Sequence, residues 1–203
     1  MLTKKIAVLF SGGGSNLEAI LERLHGKVFG ETRIEVALTL TNKANAGGIA
    51  KAAKYGLKSV VIEHVNFASR EEFDAAVVQE IKCANVDLTV LAGFMRILTP
   101  VFTRQVRAIN LHPSLLPLFK GAHAIKESFD SDMKVGGVSV HWVSEELDGG
   151  KIIAQHAFEK SAGMSFEAYE AKIHEIEHEI LPETIVQILT DKNPTSVFGM
   201  SSR

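Results

Sequence analysis

Two residues that can stabilise a developing negative charge stand at the end of an apolar run, in Ile109-Asn110-Leu111-His112-Pro113. On an extended backbone the side chains of residues i and i+2 leave the same face, so Asn110 and His112 are expected to point the same way. Pro113 ends such a strand because it has no N–H to donate. An amide donor beside an imidazole suits the oxyanion of an acyl transfer reaction. The alternative interpretation is a turn, in which the same residues cap the backbone.

A carboxylate that could complete this pair is Asp148, in the segment Glu146–Gly150. It lies between two predicted strands, 138–143 and 151–158, and therefore on the connection of a hairpin. If that connection folds back, the carboxylate approaches His112 and favours the charged imidazole. Asn110, His112 and Asp148 are therefore the predicted catalytic residues. The alternative is an acidic residue in a surface turn.

The composition limits the kinds of partner. The chain has 203 residues, of which 46% are hydrophobic and 23% charged, with a net charge of −2; this is ordinary for a globular protein and leaves no basic excess for nucleic acid. Cys83 is the only cysteine, so an intramolecular disulfide or a cysteine metal cluster is not expected. No run reaches the roughly 18 apolar residues of a membrane span. We expect a cytoplasmic protein with small-molecule partners, no nucleic acid and no membrane.

Strand and helix patterns alternate along most of the chain. They predict an α/β fold with a single doubly wound domain over residues 1–190, in which a mostly parallel central sheet is followed by a C-terminal antiparallel hairpin and a long C-terminal helix. Ligands of such domains bind beyond the carboxyl ends of the strands. The last helix should begin after Ser165 and be disturbed at Pro182, and a polar tail is expected over 191–203. The earlier elements are predicted as strands at 6–10, 34–40, 58–62 and 87–92, with helices at 46–55 and after the capping box 69–72.

A glycine-rich loop, Ser11-Gly-Gly-Gly-Ser-Asn16, joins the first strand to the first helix. Backbone N–H groups at a helix N-terminus favour a phosphate, although a tight turn accounts for the glycines equally well. A dinucleotide fingerprint would need glycine at Leu17 and an acid where the second strand ends in Thr41-Asn42, which disfavours NAD. No Gly-Lys-Ser/Thr follows, so a P-loop is excluded. A phosphomonoester remains the preferred ligand.

The last helix contains His174-Glu-Ile-Glu-His178, which matches the zinc-protease pattern H-E-x-x-H. A catalytic zinc needs a third protein ligand. No histidine follows, and Leu181 occupies the glycine position of the extended motif. The pattern is more typical of a solvated helix face, and we predict no metal site.

Five segments carry recognisable motifs, namely Ser11–Asn16, Ala92–Leu98, Asn110–Pro117, Gly137–His141 and Leu147–Gly150. Together they resemble the folate-dependent phosphoribosylglycinamide formyltransferase family of purine synthesis. The Asn–His–Asp set alone is also similar to methionyl-tRNA formyltransferase and formyltetrahydrofolate hydrolase. The Ser-Gly-x-Gly-Ser-Asn opening resembles the loop that binds the phosphate of glycinamide ribonucleotide, and the two other families carry extra domains.

The resemblance implies binding roles residue by residue. It implies that Gly14, Ser15 and Asn16 hold the substrate phosphate and that Glu177 contacts the same substrate. It assigns His174 no role, because some members have lysine at that position. The folate site that it implies consists of Arg70, Met95, Arg96, Ile97, Leu98, Asn110 and the loop 144–148.

The activity that the resemblance implies is transfer of the formyl group of 10-formyltetrahydrofolate to the amine of glycinamide ribonucleotide. Asn110 and His112 would stabilise the oxyanion, and Asp148 would favour the imidazolium. The folate is then a co-substrate, no metal is needed, and a homodimer is the candidate assembly. Two alternatives stay open: a 10-formyltetrahydrofolate hydrolase, which gives the formyl group to water, and a non-catalytic phospho-ligand binding protein.

Overall fold

A mixed sheet forms the centre of residues 1–190, the part of the chain that the computed structural model describes. Within this part the sheet has eight strands in the order β2-β3-β1-β5-β6-β7-β8, with β4 beside β3. Strands β1, β3, β4, β5 and β6 run parallel, whereas β2, β7 and β8 pair antiparallel with their neighbours. The strands are β1 Leu2–Phe10, β2 Val28–Phe29, β3 Thr32–Thr41, β4 Val60–Val61, β5 Leu88–Leu91, β6 Ala108–His112, β7 Val135–Trp142 and β8 Ile152–Glu159.

Helices cover both faces of this sheet, which confirms the doubly wound class. The alternation of β1 shows the two layers: Ile6, Val8 and Phe10 pack in one hydrophobic cluster, whereas Ala7 and Leu9 pack in the other. The first cluster includes residues of α1 and α6, and the second includes residues of α3 and α4. The second half of β1, residues 6–10, is continuously apolar because both of its faces are covered. The helices are α1 Ser15–Leu24, α2 Gly48–Lys54, α3 Arg70–Ala84, α4 Pro100–Thr103, α5 Ala124–Asp130 and α6 Phe166–Thr190, with a 3₁₀ turn at His64–Asn66.

The N-terminus of α3 is set by the predicted capping box. Ser69 Oγ accepts a hydrogen bond from the Glu72 backbone N–H at 3.1 Å, and the Glu72 carboxylate accepts one from the Ala68 N–H at 3.2 Å. The first bond satisfies a donor that the helix start would leave unpaired, and the second ties the residue before the cap to the first turn. The first helical residue is Arg70, so the cap fixes where its side chain leaves the helix.

The hairpin of β7 and β8 starts earlier than its sequence pattern suggested. The pattern indicated a strand only from Val138, but Gly136 and Gly137 already belong to β7. A Cβ atom at Gly136 would collide with the Tyr169 ring, and one at Gly137 would collide with the Leu115 side chain. These glycines therefore allow close packing within a strand, although glycine usually weakens one.

The long helix α6 continues through Pro182 to Thr190, so the predicted disturbance at Pro182 does not end the helix. Proline removes one helical hydrogen bond, but the helix is held by burial on both sides of that position. Ile176, Ile180 and Leu181 precede the proline and Ile185 follows it, and all four belong to the core. The predicted polar tail, 191–203, lies outside the described residues. No helix within 1–190 is long and apolar enough to span a membrane.

Candidate active site

The carboxyl end of β6 presents the Asn–His pair. Strand β6 lies between β5, which is parallel to it, and β7, which is antiparallel. Asn110 stands opposite His141 of β7, and His112 stands opposite Ser139. His112 is 4% exposed. Both side chains line the same cavity, as the two-residue spacing predicted.

Asp148 lies in the connection between β7 and β8, which folds back over this strand end. Its Oδ2 atom is 3.4 Å from Nδ1 of His112 and accepts a hydrogen bond from the Gly121 N–H at 2.9 Å. Its Oδ1 atom accepts from Asn110 Nδ2 at 3.4 Å. The backbone φ of Asp148 is 49°, a left-handed conformation that aspartate tolerates better than most residues. The structure thus brings Asn110, His112 and Asp148 together, while their catalytic role stays a prediction.

The surroundings of Asp148 favour its charged form. Burial alone would raise the pKa of this carboxyl, but the His141 side chain, the Gly121 N–H and the charge of His112 together lower it below its ordinary value. A carboxylate that accepts several hydrogen bonds beside a cation stays ionised at neutral pH. Asp148 therefore supplies a fixed negative charge to the two imidazole rings.

Both ring nitrogens of His112 face oxygen acceptors. Nε2 lies 2.7 Å from the Phe119 carbonyl oxygen, and because a carbonyl only accepts, Nε2 carries a hydrogen. Nδ1 faces Asp148. Phe119 has a φ of 54°, which is uncommon for an aromatic residue and orients the carbonyl that receives this bond. An imidazolium, which donates from both nitrogens, satisfies this arrangement completely.

A cavity of about 530 Å³ opens beside the three residues, a size suited to a small-molecule ligand. Met95 and Ile97 are 65% and 57% exposed on its wall, so the cavity presents apolar surface to a ligand. The segment from Ser144 to Asp148 forms another part of the wall. All residues of the predicted folate site line this cavity, namely Arg70, Met95, Arg96, Ile97, Leu98 and Asn110.

The glycine loop is a separate feature, because none of its residues lines the cavity. Gly14 has a φ of 72°, and a Cβ atom there would lie 2.6 Å from the Gly48 Cα. Backbone packing alone therefore requires glycine at position 14. Gly12 and Gly13 differ, since a Cβ at either position would meet nothing within 4 Å. The space above these two glycines is open where α1 begins with Ser15, and the turn interpretation does not account for them.

Asn16 connects the glycine loop to α6. Its Nδ2 atom donates to Glu177 Oε2 at 3.1 Å, and the same oxygen lies 2.9 Å from His174 Nδ1. Glu177 is 5% exposed. The Asn16 Oδ1 atom is buried and has no partner among the described residues. The predicted substrate residues Asn16 and Glu177 are thus in direct contact although 161 positions separate them.

Ser11 joins the glycine loop to the cavity wall. Its N–H donates to the Gly93 carbonyl at 3.0 Å, and its Oγ accepts from the Met95 N–H at 2.8 Å. The Ser11 hydroxyl in turn donates to Asn42 Oδ1 at 2.6 Å. The hydrogen bonds of Ser11 therefore link the predicted phosphate site in the glycine loop to the wall of the predicted folate site.

Comparison with known proteins identifies the family. The formyl transferase family model matches residues 4–185. The phosphoribosylglycinamide formyltransferase of Bacillus subtilis is 36% identical over 188 residues, which cover 92% of this chain and 95% of that protein. This chain belongs to the phosphoribosylglycinamide formyltransferase family. It is accordingly a formyl group transferase, related to enzymes of purine biosynthesis.

Solved structures of the phosphoribosylglycinamide formyltransferase family share this fold. The Campylobacter jejuni structure is 64% identical, with a TM-score of 0.92, and the match covers 93% of this chain and 99% of that one. The Bacillus halodurans structure is 33% identical, with a TM-score of 0.85 and coverage of 95% and 98%. Among curated relatives, the chain spans only 13% of the trifunctional purine biosynthetic protein adenosine-3 of Drosophila pseudoobscura pseudoobscura, at 41% identity over 184 residues.

His174, the first residue of the H-E-x-x-H pattern of this formyltransferase chain, takes part through Glu177 in the contact between α6 and the glycine loop. His174 hydrogen-bonds to Glu177, which raises its pKa against the opposing effect of burial. Burial lowers the pKa of His178, whose Nε2 atom is buried without a partner among the described residues. The helix face is therefore less solvated than its sequence pattern suggested. Within 1–190, no three His, Cys, Asp or Glu side chains are grouped so that they could hold a metal ion.

His141 is a member of the site to which the sequence analysis gave no role. Its Nδ1 atom lies 2.9 Å from the Trp142 carbonyl and must donate, and its Nε2 atom lies 3.2 Å from Asn110 Nδ2. His141 is buried and also lies 3.6 Å from Asp148 Oδ1. His141 could have been recognised only from the register of β6 and β7, because that register places His141 opposite Asn110.

Proposed function

We propose that the chain transfers the formyl group of 10-formyltetrahydrofolate to the amine of glycinamide ribonucleotide. The observation that carries this proposal is the convergence of Asn110, His112 and Asp148 on one wall of the cavity. An amide donor, an imidazole and a buried carboxylate together suit a reaction that passes through an oxyanion. The family relationship supports the same activity.

The proposed reaction begins when the substrate amine attacks the formyl carbon. The carbonyl oxygen becomes an oxyanion, which accepts hydrogen bonds from Asn110, in place of its 3.4 Å bond to Asp148, and from the protonated ring of His112. In the structure, the Nε2–H of His112 donates to the Phe119 carbonyl. The formyl oxygen must therefore replace that carbonyl as the acceptor of this hydrogen bond. The carbon–nitrogen bond to the folate then breaks, and the proton lost by the amine passes to the folate nitrogen. Asp148 holds the imidazole charged and oriented throughout.

The phosphate of glycinamide ribonucleotide is proposed to bind at Gly14, Ser15 and Asn16. The free N–H groups at the start of α1 favour an anion, and the space above Gly12 and Gly13 is open. Glu177 has one oxygen engaged by Asn16 and His174, and its other oxygen makes no hydrogen bond within residues 1–190. We assign that oxygen to a donor group of the substrate.

The folate is proposed to occupy the cavity. Met95, Ile97 and Leu98 supply apolar surface for the pteridine ring system, while Arg70 and Arg96 supply positive charge for the glutamate carboxylates. This arrangement leaves the formyl group beside Asn110. No part of the proposed reaction calls for a metal ion.

One experiment separates this function from the two alternatives. Purified protein is mixed with 10-formyltetrahydrofolate, and the deformylated folate is measured with and without glycinamide ribonucleotide. A transferase releases it only when the ribonucleotide is present and forms an equal amount of formylated product. A hydrolase releases it at the same rate without the ribonucleotide, and a binding protein releases none.

A further inference from the structure

Asp74 is a buried carboxylate that neither the reaction nor the cavity uses directly. It lies on α3 and is 1% exposed. Its Oδ2 atom accepts two hydrogen bonds from Thr99, one from the backbone N–H at 2.6 Å and one from Oγ1 at 2.8 Å. Burial raises the pKa of Asp74, although the two bonds from Thr99 and the charge of Arg96 oppose this effect. Burying a carboxylate costs free energy of folding. The buried position of Asp74 therefore needs an explanation, and its bonds to Thr99 point to one.

The segment Gly93–Leu98 forms part of the cavity wall and immediately precedes Thr99. It contains neither helix nor strand, and Met95 and Ile97 turn outward to the cavity. Such a segment has little burial of its own to fix its shape. Its first part is held by the bonds between Ser11 and the backbone of Gly93 and Met95. Its last part is held by Asp74, through Thr99.

The same helix holds the middle of the segment. Phe73, next to Asp74, stacks on Phe94 with ring centroids 6.4 Å apart. The guanidinium carbon of Arg96 lies 5.5 Å from the centroid of the Phe73 ring. Arg96 Nε and Asp74 Oδ1 are both buried without a hydrogen-bond partner among the described residues. The charge of Arg96 acts on the Asp74 carboxyl at longer range than an ion pair, and the low solvation of both groups strengthens that attraction.

We propose that Asp74 is a positioning residue that fixes the segment 93–98 in the shape that binds the formyl donor. It does not line the cavity and acts through Thr99 and Arg96. This inference rests on the proposed function, because it assigns the cavity to 10-formyltetrahydrofolate. It extends the site to a residue on the far side of the cavity wall.

The main test compares Asp74→Asn with Glu80→Gln, which makes the same charge change further along α3. One amide oxygen can still accept both Thr99 bonds, since Oδ2 alone accepts them now, so Asp74→Asn removes chiefly the charge. We expect the KM for 10-formyltetrahydrofolate to rise about tenfold, the order of the difference between two hydrogen bonds to a charged acceptor and two to a neutral one. The KM for glycinamide ribonucleotide should change by less than about twofold, and Glu80→Gln should match wild type in both.

A second pair of variants keeps the test valid if Asp74→Asn does not fold. Thr99→Val removes the hydroxyl that donates to Asp74, and Thr99→Ser retains it. Thr99→Val should weaken the folate complex selectively, whereas Thr99→Ser should restore wild-type affinity. Equal increases in both KM values, or unchanged folate affinity in every folded variant, would show that Asp74 has only a structural role.

Amide hydrogen exchange separates this inference from the proposed function. If wild-type protein does not use the folate at all, the proposed function fails, but exchange at residues 93–98 still reports the role of Asp74. We expect faster exchange there in Asp74→Asn than in Glu80→Gln, with little change in the glycine loop. Equal exchange in the two variants would overturn the positioning role.

Discussion

The Nδ1 atom of His112 lies 3.4 Å from Oδ2 of Asp148, and the two side chains are only 5% and 7% exposed. At such low exposure, solvent screens the pair weakly and its electrostatic coupling is stronger than at the surface. The contact joins the end of β6 to the loop between β7 and β8. The chemistry of His112 therefore depends on a loop that is remote from it in the sequence.

We expect His112→Ala to lower kcat by at least about 100-fold, because removing one oxyanion donor has an effect of this order. The protein should remain folded, as shown by its circular dichroism and thermal unfolding. His156→Ala, which removes an exposed histidine on β8, is the control and should retain full activity. A folded His112→Ala variant that turns over nearly as fast as wild type would remove His112 from the mechanism.

We expect Asn16→Ala mainly to raise the KM for glycinamide ribonucleotide, with a much smaller effect on kcat. The variant loses the amide that bonds to Glu177, and a lost phosphate contact weakens ground state and transition state alike. Isothermal titration with each substrate checks this expectation. Asn66→Ala, at an exposed asparagine, is the matched control. Weaker folate binding with unchanged ribonucleotide binding would contradict the assignment of the glycine loop.

The directions of the Asn110 and His112 side chains could be predicted from the sequence. Their spacing alone was enough to place both side chains on one face of a strand end. Asp148 was expected near His112 only if its loop folded back, because no local sequence pattern predicts the path of a loop. The bond from Gly121 and the left-handed φ of Asp148, which hold the carboxylate in place, are tertiary features without a sequence periodicity.

Two further results show why the remainder was not predictable. His141 enters the site through the register of β6 and β7, which depends on strand pairing and not on the strand itself. Pro182 remains inside α6 because tertiary packing outweighs a local preference. In both cases the deciding contact involves residues that are distant in the sequence.

The contact between His174 and Glu177 should make the stability of the protein depend on pH. The pKa of His174 is raised above its ordinary value of 6.5. This stabilisation is therefore fully present below about pH 6.5 and is lost as the pH rises through the raised pKa. In His174→Gln the free energy of unfolding should lack this decrease, while the control His156→Gln should retain it. Parallel pH curves for wild type and His174→Gln would show that the contact contributes nothing.

We expect formyl transfer to continue in the presence of a strong chelator. The proposed mechanism uses only side-chain hydrogen bonds and charge, and His174 and His178 have no third ligand within residues 1–190. The rate is measured before and after prolonged dialysis against the chelator, with metal content determined in parallel. Stoichiometric zinc together with a chelator-sensitive rate would overturn the expectation.

Asp148→Asn tests the relationship on which the site depends. Asparagine also tolerates a left-handed φ, and its amide oxygen can still accept the Gly121 bond, so the loop should keep its shape. The charge is lost, and the imidazolium of His112 is then less favoured. We expect kcat to fall by about tenfold or more, whereas the affinity for glycinamide ribonucleotide should stay similar.

The stability of the same variant provides an independent measurement. The pKa of Asp148 lies below its ordinary value of 3.8, so its stabilising contribution is present above that pH and is lost as the pH falls through the lowered pKa. Wild type should therefore lose stability more steeply than Asp148→Asn in acid. An acid in a solvated turn would give the same acid dependence in both proteins, with unchanged turnover. That combined result would leave the Asn110–His112 pair without its orienting carboxylate and would refute the mechanism proposed for Asp148.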